Sequence, residues 1–555
     1  MDNIINYLNL VTLLLFFAIS DSFGGNLDDF LRCVSNDDSN PILINTPSSS
    51  TYSSVLNFTV RNLRFSGPDT PKPFAIINPS QASHVQGGVI CAKNHGVHIR
   101  VRSGGHDFEG LSYVAHGVPF VLIDMAKLNS VSVDTDDNTA WVESGASMGE
   151  LYYKLGLETS GFGFPGGVQP NVGVGGFLSG GGYGLMVRKY GLAVDNVVDA
   201  QVVDANGRLV DRDSMGEDLF WAIRGGGGGS FGIVVAWKLK LVPVPSIVTS
   251  FTAFRIWDQN STNLVHKWQL VAPEIDERLF IGAMVTAANS GEGGGRIMGV
   301  FLYSLFLGRA EEVISIMENN FPEVGLRMED CVESNWVESM AYPASGFVTA
   351  KDMNFLLDRT PLTNGRYKTK SDYATEPISQ TALHGIWERF NAKGIQTVQL
   401  VLIPYGGKMN KFSETDTPSP HRARYPIKIA YYVTWDTLEG DSRHLEWTRE
   451  LYDYMTPFVS KSPKAAYVNY RDLDIGRNNE EGIPTSYEEA GVWGLKYFGD
   501  NFERLVEVKT KVDPYNLFRH EQSIPPVAAQ VKISSGNDVA CDKMEYLPNL
   551  IGLAM

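Results

Sequence analysis

The spacing of apolar and polar residues between Phe74 and Arg102 predicts a strand, a helix and a second strand in succession. The apolar run FAIINPS is typical of a buried strand and ends at Ser80, a residue type that caps helix N-termini. The next segment, QASHVQGGVICAKNHG, has helical spacing and stops at Gly96, which suits a left-handed C-cap. In VHIRVR apolar and polar residues alternate, as they do in a half-buried strand.

The same two patterns predict further elements along the chain. PFVLIDM, NTAWVESGAS and IVVAWKLKL have strand patterns, and SMGELYYKLG has a helical pattern up to Gly156. TNLVHKWQLV, AEEVISIMENNF and YFGDNFERLVEVKTKVDP also have helical spacing. After about Pro243 glycine becomes less frequent and helical and strand patterns mix, and the pattern changes again near Ala465. We therefore predict one domain over 25–242, a second over 243–464, a C-terminal segment over 465–526 and an irregular tail over 527–555.

Two glycine-dense stretches, from Gly161 to Gly191 and from Arg224 to Val242, mark places where backbone closely approaches another group. The second stretch contains GxGxxG, a pattern of dinucleotide sites that requires a helix after it. The strand-like IVVAWKLKL follows instead, so we reject a Rossmann fold. Backbone N–H groups in these loops could still bind phosphate.

Composition and charge exclude some partners and indicate a secretory route. The formal net charge of −16 argues against nucleic acid, which needs a basic face. The apolar run from Leu8 to Ile19 is short for a membrane span and predicts a signal peptide over 1–24, although a positive n-region is missing. No membrane span is predicted. Asn57 and Asn260 lie in glycosylation sequons.

The four cysteines fit the same compartment. They are Cys33, Cys91, Cys331 and Cys541, of which Cys33 and Cys91 could pair in an oxidising environment. Metal-ligand spacing is missing throughout, so we predict no metal site.

Four segments jointly resemble the plant berberine bridge enzyme-like FAD-linked oxidases. They are VRSGGHDFEGLSY, VGVGGFLSGGGYGLMVRKYGLAVDN, GEDLFWAIRGGGGGSFGIV and YVNYRDLD followed by KVDPYNLFRHEQSIPP. The resemblance implies an α+β fold with a p-cresol-methylhydroxylase-type FAD domain of two α/β subdomains. It also implies a substrate domain with an antiparallel sheet, a C-terminal segment that returns to the FAD domain, and a Cys33–Cys91 disulfide.

His106 is the residue that the resemblance assigns to a covalent bond with the flavin 8α-methyl carbon. A neutral imidazole nitrogen can add to the tautomer of that acidic methyl group. Family members usually carry a second link through a Cys, where this chain has Gln169, and a His where it has Phe177. An amide cannot form that bond, so we predict a flavin attached through His106 alone. The further FAD contacts implied by the resemblance are Arg102, Ser103, Gly104, Gly105, Asp107, Ser112, Gln169, Val172, Gly173, Gly175, Gly176, Ser179, Gly180, Tyr183, Ile233 and Asn469.

Tyr470 corresponds to the tyrosine that removes a substrate proton in family members that oxidise alcohols or phenols. Its pKa near 10 must fall for it to act as a base at neutral pH, and a nearby cation would lower it. Lys428 is our candidate for that cation, at a position where the resemblance implies a cation in some members and a carboxylate base in others. It lies on a strand-like stretch, so Lys428 and Ala430 share one face. Tyr183 is our candidate for the rim of the site. The resemblance places Val172 beside flavin C4a, where a small residue admits O2. We assign Arg296 to binding of a phenolate or carboxylate.

The first functional hypothesis is a secreted, monomeric FAD oxidase that takes hydride from a phenolic, allylic or alcohol substrate and passes electrons to O2. The second is a non-redox cycloaddition, as some berberine bridge-like proteins catalyse with FAD bound, and it is motivated by Gln169 and Phe177. The third is a carbohydrate oxidase.

Overall fold

The structure, a computed structural model, describes residues 27–35, 41–258, 260–289, 295–344, 352–360, 365–480 and 482–527. The predicted signal peptide and Cys541 lie outside these ranges, as does all of the predicted tail except Val527. Within the described part of the chain, no helix is both long and apolar enough to cross a bilayer. The described strands form three larger sheets and one two-stranded ribbon.

The first sheet contains the predicted strand–helix–strand unit. Its order is β1-β2-β4-β3, in which β2, β4 and β3 are parallel and β1 is an antiparallel edge. Its strands are β1 (Leu43–Asn45), β2 (Ala75–Asn78), β3 (His98–Arg102) and β4 (Phe120–Asp124). Its helices are α1 (27–35), α2 (Tyr52–Phe58) and α3 (Ala82–His95).

The N-terminus of α3 differs from the prediction by one residue. Its N-cap is Gln81 rather than Ser80, because the His84 ring folds back and its Nδ1 lies 3.3 Å from the Ser80 backbone nitrogen. The predicted C-cap is confirmed, since Gly96 is left-handed with φ of 65°. A disulfide between Cys33 and Cys91 joins α1 to α3, which confirms the expected pairing.

The second sheet has five antiparallel strands in the order β5-β6-β10-β8-β9. Its strands are β5 (Val131–Asp134), β6 (Thr139–Glu143), β8 (Val197–Val203), β9 (Leu209–Val210) and β10 (Ile233–Lys240), and the ribbon consists of β7 (Phe162–Gly163) and β11 (Val242–Pro243). The accompanying helices are α4 (Met148–Glu158), α5 (Val174–Ser179), α6 (Val187–Tyr190) and α7 (Arg212–Ile223).

Helix α4 continues past Gly156, where we expected it to end. A Cβ atom at Gly156 would lie 3.0 Å from the Val337 side chain, so this glycine serves close packing rather than termination. At its start, Ser147 and Glu150 form a reciprocal capping box.

The third sheet has seven antiparallel strands in the order β15-β12-β14-β13-β17-β18-β16. They are β12 (Val248–Ile256), β13 (Leu279–Asn289), β14 (Arg296–Phe306), β15 (Cys331–Ser334), β16 (Arg366–Ala374), β17 (Thr397–Pro404) and β18 (Ile427–Trp435). The helices of this region are α8 (Ser261–Val271), α9 (Ala310–Asn320), α10 (Trp336–Ala344), α11 (Gln380–Phe390) and α12 (Asp441–Met455).

Strand alternation gives the seven-stranded sheet two different faces. On one face, Ile429, Tyr431 and Val433 of β18 pack in a core with the buried rings of Trp268 and Trp387. The opposite face carries Lys428, Ala430 and Tyr432, in agreement with the predicted shared face of the first two. This second face is the one that contributes to the functional site.

The C-terminal segment forms two helices where one was predicted. Helix α13 (Tyr487–Phe498) ends at Gly499, whose φ of 51° cannot continue a helix, and α14 (Asn501–Val512) starts after it. The segment packs back onto the second sheet region, because the buried Lys509 donates to the Ser230 carbonyl at 2.7 Å.

Candidate active site

A cavity of about 400 Å³ is lined by residues from all three larger sheets and from the C-terminal segment. One part of the lining, which we call the glycine wall, consists of Gly104, Gly105, Gly173, Gly175, Gly176, Gly227, Gly228 and Gly229. Another part, which we call the tyrosine wall, consists of Tyr183, Tyr303, Tyr432, Tyr467 and Tyr470.

Backbone touches backbone in the glycine wall. A Cβ atom on Gly104 would lie 2.3 Å from the backbone nitrogen of Gly173, closer than any real contact. Gly105 has φ of 71°, and a Cβ there would meet the Thr59 carbonyl oxygen at 2.1 Å. Only glycine fits these two positions, and the pair brings the following residue, His106, to the cavity.

The donors along the glycine wall fit a large polar ligand such as FAD. The Ser112 hydroxyl lines the cavity and is buried without a hydrogen-bond partner among the described residues. Arg100 and Arg471 also line it, so cationic groups accompany the backbone N–H groups of the loops. His520 lines it too, but burial and the two arginine charges hold its pKa well below the usual value, so it is a neutral polar group. Such a set suits the phosphates and sugar hydroxyls of a dinucleotide.

The GxGxxG segment contributes to this wall without forming a Rossmann site. Gly227 and Gly229 have φ of 95° and 76°, and the segment leads into strand β10 rather than into a helix. The rejection of a Rossmann fold is thereby confirmed. Binding of phosphate by these backbone groups stays a prediction.

His106 lies half-buried between the two walls. Its Nε2 is 3.0 Å from the carbonyl oxygen of Asn171, so that nitrogen donates and Nδ1 keeps its lone pair. Burial and the charge of Arg61 lower the pKa of His106 to about 3, although the hydrogen bond to Asn171 raises it. The imidazole is therefore neutral at physiological pH, which is the form that a nucleophile requires.

Tyr470 occupies the centre of the tyrosine wall. Its hydroxyl is hydrogen-bonded to that of Tyr183, and its ring packs edge-to-face on Phe108 at 5.4 Å between centroids. Burial raises the pKa of Tyr470 to about 12, and the bond to Tyr183 opposes that shift. The Tyr467 hydroxyl accepts from the Gly182 backbone at 3.0 Å, which fixes a neighbouring ring.

Lys428 lies beneath this wall and does not line the cavity. Its Nζ is 3.3 Å from the ring centroid of Tyr183, 4.4 Å from that of Tyr467 and 4.2 Å from that of Tyr470. The side chain is fully buried, and its Nζ has no hydrogen-bond partner among the residues that the structure describes.

Burial lowers the pKa of Lys428 well below its usual value. A buried amine without an anionic partner favours its neutral form, so Lys428 is charged only when a negative charge develops beside it, and its role as the cation near Tyr470 stays a prediction.

Three other predicted site residues have different roles in the structure. Arg102 is buried away from the cavity, where it pairs with Asp124 at 2.7 Å and donates to two carbonyls of α2. Gly180 is not part of the lining, and a Cβ there would lie 2.1 Å from the Asn469 side chain. Arg296, at the far end of β14, donates to the Asn289 side chain and to the carbonyls of residues 395 and 396, and it does not line the cavity.

The remaining predicted contacts all lie along the cavity. They are Ser103, Gly104, Gly105, His106, Asp107, Ser112, Gln169, Val172, Gly173, Gly175, Gly176, Ser179, Tyr183, Ile233, Asn469 and Tyr470. Their contacts with FAD stay predictions.

Sequence reasoning missed the part of the site that the seven-stranded sheet provides. Phe280, Tyr303, Ile403 and Tyr432 line the cavity from four different strands. Tyr432 could have been found, because it lies four residues after Lys428 and alternation places both on one face. The other three needed the strand order. Arg471 and His520 lie inside recognised segments, but no pattern pointed to them.

Residues 73–213 match the family model described as FAD binding domain, and residues 466–525 match the one described as berberine and berberine like. The chain is 46% identical over 510 residues to a tetrahydroberberine oxidase of Berberis wilsoniae, with 92% of this chain and 96% of that protein covered. It is 45% identical over 527 residues to the monolignol oxidoreductase AtBBE-like 13 of Arabidopsis thaliana, with 93% and 97% covered.

A solved structure shows the same fold. Phl p 4, a grass pollen allergen with glucose dehydrogenase activity, is 41% identical, with 90% of this chain and 100% of that chain covered and a TM-score of 0.84. The glycine wall, the FAD-binding match and these relatives agree. The chain therefore belongs to the berberine bridge enzyme-like family of FAD-linked oxidoreductases.

Proposed function

We propose that this enzyme oxidises a phenolic or allylic alcohol of plant specialised metabolism, with Tyr470 as the base and O2 as the final electron acceptor. Bound FAD supplies the hydride acceptor. The observation that carries the proposal is the position of Tyr470, which faces the cavity, bonds to Tyr183 and packs on Phe108, two residues after His106. A base in this position reaches a substrate hydroxyl held between the two walls.

Proton transfer is assigned to Tyr470 and Lys428 acting as a pair. Each alone prefers its neutral form, since burial raises the pKa of the phenol and lowers that of the amine. When the Tyr470 hydroxyl loses its proton and Lys428 gains one, the phenolate and the ammonium stabilise each other, because Nζ lies 4.2 Å from the centroid of the Tyr470 ring. The base-competent arrangement is therefore a phenolate over an ammonium, with the same total number of protons as the neutral pair.

The lining favours an aromatic substrate over a sugar. Among the described residues that the seven-stranded sheet gives to the cavity, none is charged, and Phe280, Tyr303, Ile403 and Tyr432 present rings and an aliphatic side chain. Aromatic side chains and a few polar groups are what a planar phenolic ring needs. Val172 also lines the cavity, and its small side chain is compatible with access of O2.

We also propose a single covalent link to FAD, through Nδ1 of His106. Support comes from the hydrogen bond that engages Nε2 and from the neutral imidazole. Gln169 lines the cavity and has no nucleophilic group, so it offers no second link.

Entry into the secretory route is proposed on independent grounds. The Cys33–Cys91 disulfide requires an oxidising compartment, and the sequon residues Asn57 and Asn260 are both exposed. Treatment of the plant-expressed protein with an N-glycosidase should lower its mass at these two sites, and an unchanged mass would contradict glycosylation.

The deciding experiment is anaerobic mixing of the purified protein with a panel of cinnamyl and coniferyl-type alcohols. We expect the flavin absorbance near 450 nm to bleach and to return when O2 is admitted. Conversion of any panel member without bleaching would refute hydride transfer. A product that is an isomer of the combined substrates, formed without O2 uptake, would point to cycloaddition instead. Bleaching by glucose alone would favour a carbohydrate oxidase.

A further inference from the structure

Two chain segments that carry the proposed chemistry lie side by side. The first, 106–109, contains His106, and the second, 470–474, contains Tyr470. Phe108 of the first packs on the Tyr470 ring, and Asp107 pairs with Arg471 at 3.1 Å. Each of these contacts joins a residue one or two positions from His106 to one at or next to Tyr470.

A group of buried charges joins the same two segments behind the cavity. We call it the Lys368 cluster, and it consists of Glu109, Lys368, Lys370, Asp472 and Asp474. Lys368 pairs with Glu109 of the first segment and, at 2.6 Å, with Asp472 of the second. Lys370 pairs with Asp472 at 2.6 Å and with Asp474 at 2.9 Å. Both lysines extend from strand β16.

Four of the five residues of the cluster are almost sealed from water, whereas Asp474 is exposed. Glu109 is 4% exposed, Lys368 2%, Lys370 1% and Asp472 3%. Burial lowers the pKa of Lys368, but attraction to Asp472, Glu109 and Asp474 outweighs it and raises the pKa above its usual value. Lys368 is therefore a cation that neutralises carboxylates from two separate segments. Removing it would leave like charges facing each other in a low-dielectric interior.

None of the five residues lines the cavity, so none can touch a ligand there. Buried ion pairs add little net stability compared with apolar residues of the same shape, and their better-attested use is to fix a unique arrangement. Here the arrangement is the placement of one segment against the other. It matters more in this chain, because a flavin held by His106 alone takes its orientation from segment 106–109.

We propose that the Lys368 cluster is a positioning device that holds the His106 segment in register with the Tyr470 segment. Its residues act through His106 and Tyr470 and are positioning residues. The proposal rests on the function proposed above for these two side chains.

The test compares Glu109→Gln and Lys368→Met with the wild type as purified holoproteins. Glu109→Gln keeps an acceptor for Lys368 and for the Leu473 backbone but removes the charge. The matched control is Asp441→Asn. It makes the same carboxylate-to-amide change in the pair between Asp441 and Arg366, which lies on β16 two residues from Lys368 and contacts neither segment.

Two measurements report on position rather than on turnover. They are the fraction of yellow flavin retained in the acid precipitate and the visible circular dichroism of the bound flavin. Because a displacement of about 1 Å can cost on the order of 100-fold in rate, we expect the attached fraction to fall at least about twofold in both variants. The dichroism should change with it, and Asp441→Asn should keep wild-type values in both.

Wild-type values in both variants would overturn the proposal, and so would an equal change in Asp441→Asn, which would indicate general loosening. If the wild type holds FAD without a covalent bond, the comparison of the variants rests on the visible circular dichroism alone. Failure of the proposed function has a different signature. In that case the wild type does not bleach with the alcohols, although the attached fraction and the dichroism still differ between the wild type and Glu109→Gln.

Discussion

The two walls of the cavity are built by opposite means. In the glycine wall the backbone makes the contacts, and side chains are missing where two loops meet, as at Gly104 and Gly173. In the tyrosine wall the side chains make the contacts, and they come from loop and strand segments far apart in the chain. The first wall suits a ligand of fixed shape. In the second wall, substitution of a single aromatic residue can change which substrate fits.

Removing the base should have the largest effect on the tyrosine wall. Tyr470→Phe keeps the ring on Phe108 but loses the hydroxyl that bonds to Tyr183. We expect the rate of anaerobic flavin reduction to fall by about 10²–10⁴-fold, with the flavin spectrum unchanged. Tyr183→Phe is the control and should cost less, because it only supports Tyr470. If flavin reduction in Tyr470→Phe stays within threefold of the wild-type rate, Tyr470 is not the base.

Adding one methyl group should damage the glycine wall. Gly104→Ala places a Cβ 2.3 Å from a backbone nitrogen, where no flexible side chain can yield. We expect the free energy of unfolding, measured by denaturant titration, to fall by at least about 1–3 kcal/mol. The flavin content of the purified variant should also be lower. Gly87→Ala in α3 is the control, since nothing lies within 4 Å of a Cβ atom there and the residue does not line the cavity. Equal losses in both variants would mean that close backbone approach is not what the wall requires.

Lys428→Met should separate stability from activity. Because a buried amine without a partner is costly, we expect the variant to be more stable by about 1–3 kcal/mol at neutral pH. The pKa of Lys428 is lowered on folding, so the unfolded chain binds the extra proton and wild-type stability rises with pH up to the unfolded pKa. The advantage of the variant should therefore shrink toward pH 10.5 and be largest at lower pH.

The same variant should be slower. Without the amine, no ammonium can offset the burial that raises the pKa of Tyr470, so flavin reduction should keep rising through pH 10 instead of levelling off. The control is Lys370→Met, a buried lysine that has carboxylate partners and should lose stability instead. Stability losses of similar size in both lysine variants would contradict the absence of a partner at Lys428.

What could be predicted from the sequence follows the same division. The glycine wall lies in contiguous segments in which glycine itself marks where the backbone approaches another group. His106, Gly104 and Gly173 could therefore be identified from the sequence as candidate site residues. The tyrosine wall depends on which strands are neighbours in the seven-stranded sheet, and residue spacing does not reveal that order. The burial of Lys428, which favours its neutral form, could not be predicted from residue spacing either, because burial is a property of the assembled core.

Arg296 gives the smallest expected effect and tests the border of the tyrosine wall. It lies on β14, the strand that carries Tyr303, but seven residues away, and its guanidinium donates to Asn289 and to three backbone carbonyls. We expect Arg296→Gln to change KM by less than about twofold, since substitutions away from a site rarely exceed ±0.5 kcal/mol. Tyr303→Leu on the same strand should raise KM about 3-fold to 10-fold, because a ring contact contributes about 0.5–1.5 kcal/mol. A larger KM effect at Arg296 than at Tyr303 would extend the substrate site outward along β14 and would restore the anion-binding role first predicted for this arginine.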